Sequence, residues 1–107
     1  MERKVYNKLV RDNIPEIIRA QGGTPETRIL SDVEYKKYLR LKLVEEAGET
    51  NAAASRDEMI KELGDVLEVM EALMRDEDIL PEEVAELKKK RHAERGGFDK
   101  RMYLVAG

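Results

Sequence analysis

Glu45–Asp65 reads EEAGETNAAASRDEMIKELGD, and how this stretch folds decides the architecture. Ser55, with Glu58 three residues later, is a capping-box signature in its middle. Helix-forming residues flank it on both sides, and no proline interrupts them. The stretch therefore reads as the end of one helix, a tight turn and the start of another. Two helices joined so closely pack antiparallel as a hairpin. Folded about Ser55 and Arg56, residues whose numbers sum to about 111 lie side by side. Glu46 then faces Asp65, and Glu49 faces Glu62. Residues three apart share a helix face, so four carboxylates converge at one level of the hairpin.

Working outward, Ser31 and Glu34 form a second capping-box signature, and a helix is expected from there to about Ala54. Leu39, Leu41, Leu43 and Val44 look like core. Leu39, Leu43, Glu46, Thr50 and Ala53 form one heptad-like stripe. On the following helix, expected to end near Asp76, Glu62, Val66, Val69 and Leu73 form another. Glu68 and Glu71 fall on the other side and read as solvated. Pro81 suits the start of a third long helix, Glu82 to about Arg95, closed by Gly96-Gly97. NIPEIIRAQGG predicts a short N-terminal helix, with Asn13 as its cap, Pro15 in the first turn and Gly22-Gly23 at its end. Residues 1–12 give no clear element. TPETRIL is extended or irregular because of Pro25, and FDKRMYLVAG is a tail expected to be partly extended. The expectation is an all-α helical bundle of three main helices plus a short N-terminal one, forming a single domain over residues 1–107, with no repeat and no linker.

Composition narrows the function classes. The chain has 107 residues, 41% hydrophobic and 40% charged, with a net charge of −3. That supports only a thin core, for which pairing of two or four chains is a natural remedy. Mixed charge without a basic excess argues against a nucleic-acid polymer as partner. No cysteine is present, so disulfides and thiolate metal sites are excluded. No apolar run reaches the length of a membrane span, and MERKVYNKLVRDN has no signal-peptide core. The chain reads as soluble and cytoplasmic, with no membrane partner.

The four carboxylates need a reason. A charge run is usually a solvated face, but Glu46 and Glu62 occupy places in the two stripes where core residues belong. An ionised carboxylate near a core is costly unless it is paired or bound to metal. Gly48, inside the cluster, costs about 1 kcal/mol relative to alanine in a helix; it serves either a close helix contact or a ligand. The donors are all oxygens. The only histidine, His92, has Lys89 rather than an acid three residues before it, so a Glu-x-x-His di-iron motif is missing. Hard oxygen donors suit Mg²⁺, with Mn²⁺ as the other candidate. Mg²⁺ is commonly shared with substrate phosphates, so the cluster points to a polyphosphate substrate.

EEAGE, twelve intervening residues and ELGD resemble the Glu-x-x-Glu…Glu-x-x-Asp signature of the MazG-like all-α nucleoside triphosphate pyrophosphohydrolases. The opening YNKLVRDNIPEII and the closing ERGGFDKRMYL are similar to a subgroup of house-cleaning enzymes described as phosphoribosyl-ATP pyrophosphohydrolase-like. The resemblance implies Mg²⁺-dependent hydrolysis of the α–β phosphoanhydride of a nucleotide, in dimers or tetramers. It implies metal ligation by Glu46, Glu49, Glu62 and Asp65. Glu45 is then a further ligand or the carboxylate that orients the attacking water, which makes Glu45 and Glu46 the catalytic candidates.

A phosphate chain also needs cations. Lys42 reads either as a phosphate ligand or as an i, i+4 ion pair with Glu46. Lys8, Arg11, Arg95, Lys100 and Arg101 are further phosphate-binding candidates, with surface solvation or subunit contact as the competing role. Phe98 is a candidate for stacking on a base, or else packs. Tyr35 and Tyr38 read as packing residues and His92 as a surface or interface residue. Two other readings stand beside the enzyme: a non-catalytic nucleotide-binding or regulatory helical module, and a plain dimerisation domain. The broken heptads and the Gly-Gly ends argue against the last.

Overall fold

A computed structural model describes residues 3–107; Met1 and Glu2 at the start of the expected irregular segment lie outside them. Four helices follow one another, α1 (Ile14–Ala20), α2 (Asp32–Ala52), α3 (Arg56–Asp76) and α4 (Pro81–Arg95), and there is no strand among the described residues. The expected all-α fold is therefore seen, while the closing tail and the TPETRIL segment have no regular structure.

Local chemistry sets the boundaries. The Ser31 hydroxyl accepts from the Glu34 N–H at 3.3 Å, and the Glu34 carboxylate accepts from the Ser31 N–H at 3.2 Å, closing a full capping box on α2. At α3 the Ser55 hydroxyl accepts from the Glu58 N–H at 3.1 Å, but the Glu58 carboxylate reaches one residue further back, to the Ala54 N–H at 2.8 Å. That bond ties the turn itself to the new helix. The expected cap at α1 does not form: Asn13 is already in the helical region, with φ −89° and ψ −3°, so its side chain is not placed over the first turn. Gly22 and Gly96, with φ of +86° and +82°, take positive-φ backbone that residues with a side chain rarely adopt, where α1 and α4 end.

α2 and α3 form the expected antiparallel hairpin and make the one extended helix–helix contact among the described residues. Its seam is the pair of stripes read from the sequence. Leu39, Val69 and Glu46 are the buried residues, and Leu43, Thr50, Ala53, Glu62, Val66 and Leu73 are half-buried beside them. Leu41 and Val44, expected in the core, are instead 50% and 69% exposed. Steps of two and five residues from Leu39 turn them onto the opposite face of α2.

α3 carries a second apolar row outside the hairpin seam. Ile60, Leu63, Leu67, Met70 and Met74 follow one another at alternating steps of three and four, and the first three are about half exposed. Every residue of α4 and of the tail is exposed. The radius of gyration is 18.0 Å, against about 13 Å for a compact chain of about this length. The single chain is thus an elongated hairpin with a thin core and much uncovered apolar surface.

Candidate metal centre

The hairpin brings together the four carboxylates named from the sequence. α2 supplies Glu46 and Glu49, α3 supplies Glu62 and Asp65, and one oxygen from each lies within 4.8 Å of all the others. Oxygens on opposite sides of a cation bound at 2.0–2.6 Å are about 4–5 Å apart, so the cluster has the dimensions of a single-ion cage. Gly48 has open space where a side chain would stand, so it does not serve a close contact within this chain.

The donor atoms fit a hard cation. Glu46 is 6% exposed, and its Oε2 and the Oε2 of Glu62 are buried without a hydrogen-bond partner. Buried polar atoms are rarely left unpartnered, and a cation could satisfy both of these carboxylate oxygens; Asp76 Oδ2, outside the cluster, is likewise without a hydrogen bond. Oxygens of Glu46, Glu62, Asp65 and the neighbouring Glu45 face basic side chains. Lys42 Nζ lies 3.1 Å from Glu45 Oε2 and 3.6 Å from Glu46 Oε1. Lys8 Nζ donates to Glu45 Oε1 at 2.8 Å, and Arg11 Nη2 donates to Asp65 Oδ1 at 2.7 Å. Lys61 Nζ donates to Asp65 Oδ2 at 2.8 Å and to Glu62 Oε1 at 3.2 Å.

Electrostatics divide the cluster in two. Burial first, and then the neighbouring Glu49 carboxylate, push Glu46 above the usual carboxylate range, against the pull of Lys42. Lys61 chiefly, with Arg11, holds Asp65 below its ordinary value, and Lys8 followed by Lys42 does the same for Glu45. Burial thus disfavours the charge on Glu46, whereas basic partners offset those of Asp65 and Glu45.

The other candidates are distributed unevenly. Lys42 stands at the cluster in the ion-pair role, and Lys8 and Arg11 stand there in ion pairs with Glu45 and Asp65 that the sequence did not suggest. Arg95, Lys100, Arg101 and Phe98 are exposed on α4 and the tail, and among the described residues none makes a side-chain hydrogen bond or ion pair; the Arg101 N–H donates to the Phe98 carbonyl at 3.0 Å. Phe98 is 97% exposed. Sequence reasoning missed Lys61, although its i, i+4 spacing to Asp65 is a helix-pair signal. Tyr38, read from the sequence as packing, also borders open space. Tyr38 lines a cleft of about 170 Å³ beside the cluster, together with Lys8, Lys42 and Glu45, and nothing in the sequence distinguishes it from Tyr35.

An uncharacterized protein of Mycolicibacterium smegmatis is 58% identical to this chain over 50 residues, a stretch that spans 47% of this chain and 51% of that relative. The match names no function. No family model and no solved structure matches the chain. No described helix is long and apolar enough to cross a membrane.

Proposed function

We propose that the protein is a MazG-like, Mg²⁺-dependent nucleotide pyrophosphohydrolase. It cleaves the α–β phosphoanhydride of a nucleoside triphosphate or related nucleotide, releases pyrophosphate and a monophosphate, and serves nucleotide-pool house-cleaning in the cytoplasm. The observation that carries this reading is the four-carboxylate cage with two buried oxygens that have no partner. Glu46, Glu49, Glu62 and Asp65 would hold the ion, with Mn²⁺ as a substitute. Bound there, it would supply charge neutralisation for the phosphates and a more acidic water.

The chain's own residues account for the rest. Glu45 lies at the edge of the cage and lines the adjoining cleft, where it is placed to orient a water or accept its proton. Lys8 and then Lys42 hold it below the ordinary carboxylate range, which suits orienting a water better than taking its proton. Lys8 and Lys42 line the same cleft and present ammonium groups to an anionic ligand. Assembly into a homodimer or homotetramer belongs to the same reading. The row Ile60, Leu63, Leu67, Met70 and Met74 has the three–four spacing of a helix–helix seam, and covering it would complete a bundle.

The test is pyrophosphate release from canonical and modified nucleoside triphosphates and phosphoribosyl-ATP, with and without Mg²⁺. Metal-dependent release supports the enzyme and identifies its substrate class. Saturable metal and nucleotide binding without turnover on any of them favours the second reading, a nucleotide-binding or regulatory module.

A further inference from the structure

The segment Arg3–Asp12 has no helix or strand, yet it is pinned across the cage at two points. Asn7 takes the left-handed conformation, with φ of +47°, which asparagine tolerates better than most residues. Beyond that bend, Lys8 lands on Glu45 of α2 and Arg11 lands on Asp65 of α3, at 2.8 and 2.7 Å. The contacts span 37 and 54 residues of sequence, so one short strap bridges both arms of the hairpin at the level of the carboxylates.

Asp65 is the point of conflict. Arg11 occupies its Oδ1 and Lys61 its Oδ2, whereas Glu46 Oε2 and Glu62 Oε2 have no partner. A cation entering on the inner oxygens therefore meets two positive groups on the fourth ligand. Lys61 has a second acceptor in Glu62 and sits one turn away on the same helix. Arg11 has no acceptor other than Asp65 among the described residues. The weaker hold is on the strap.

We propose that residues 3–12 form a counter-ion strap that competes with the divalent ion. Arg11 and Lys8 balance the carboxylates in the metal-free protein. Metal binding at Asp65 expels Arg11 and frees both strap cations for the phosphates of the substrate. Charge favours the exchange. Glu45, Glu46, Glu49, Glu62 and Asp65 face Lys8, Arg11, Lys42 and Lys61; a divalent ion would turn that deficit of one positive charge into an excess of one, and the release of Arg11 restores neutrality. The strap so couples metal occupancy to phosphate recruitment. This inference rests on the metal reading above.

The experiment needs no nucleotide and no turnover. Calorimetry with Mg²⁺ or Mn²⁺ alone is compared for the wild type, Arg11→Gln and Lys8→Gln/Arg11→Gln. Losing the competitor should tighten metal binding by about two- to fivefold, the range set by solvent-open ion pairs. In parallel, trypsin cleavage after Lys8 is followed against NaCl of matched ionic strength. Metal should speed that cleavage in the wild type, and Arg11→Gln should be cleaved fast already without it. Equal or weaker metal affinity in Arg11→Gln, or protection of the strap by metal, overturns the strap while leaving the metal centre intact. Absence of metal binding in all three proteins overturns the metal reading and the strap with it.

Discussion

Glu46 and Leu39 stand on the same stripe of α2, two turns apart, and are buried almost alike, at 6% and 3% exposure. Leu39 gains from that burial. Glu46 does not, because its Oε2 has no partner and its nearest acid is another glutamate. Replacing it with glutamine removes a poorly compensated charge. In metal-free buffer, Glu46→Gln is expected to stabilise the fold by about 1–2 kcal/mol. The same variant should lose the rise in melting temperature that Mg²⁺ gives the wild type. Thermal melts with and without Mg²⁺ read both effects, and a Mg²⁺-induced rise as large in the variant as in the wild type would remove Glu46 from the ligand set.

The capping box of α2 gives a prediction tied to pH. Two Arg28 contacts, at 2.8 and 3.1 Å, and the Ser31 N–H hold the Glu34 carboxylate down from 4.5 to about 2. Its folded pKa is depressed, so the folded state binds fewer protons than the unfolded chain in this range. The stabilisation is complete above the unfolded value of 4.5 and is lost as pH falls toward about 2. The melting temperatures of wild type and Glu34→Gln should differ by a constant amount above that window and converge through it. A gap that persists at the acid end would show that Glu34 acts through packing.

Ser31→Ala tests the same helix end at neutral pH. Loss of the hydroxyl leaves the Glu34 N–H without its acceptor, at an expected cost of about 1 kcal/mol. For a domain near this size that is a fall in melting temperature of about 4–8 °C. A shift within experimental error would mean that the end of α2 frays in the wild type.

The outer row of α3 should reveal itself as a contact in solution. Leu67 is 57% exposed at the centre of Ile60, Leu63, Leu67, Met70 and Met74. Leu67→Glu is expected to convert an assembled species into monomers and to lower helicity, since the lone hairpin has so little core. Sedimentation velocity distinguishes the two species; a monomeric wild type at micromolar concentration defeats the proposal.

How much of this was legible beforehand depends on range. The hairpin and its inner stripes could be read because helical spacing and two serine caps are local signals. The residues that bury, Leu39, Glu46 and Val69, all lie on stripes read from that spacing. Leu41 and Val44 misled because a dense apolar run does not say which face turns inward. Lys8 and Arg11 were legible as cations, but not as partners of Glu45 and Asp65. Their contacts span 37 and 54 residues through a segment with no periodicity. Asn13 looked like a cap by type and position, yet its own backbone had already entered the helix.

The connection between α2 and α3 is only Ala53, Ala54 and Ser55, and the Glu58 side chain is bonded back into it. It works as a ruler. Each α-helical residue turns the chain by about 100°, so one residue added there would swing Glu62 and Asp65 off the face that meets Glu46 and Glu49, or force the apolar stripes out of step to keep them. Length variation should be far better tolerated between α1 and α2, or between α3 and α4, than in these three residues. The dimensions of the cage are stored in the length of a turn that contributes no ligand to it.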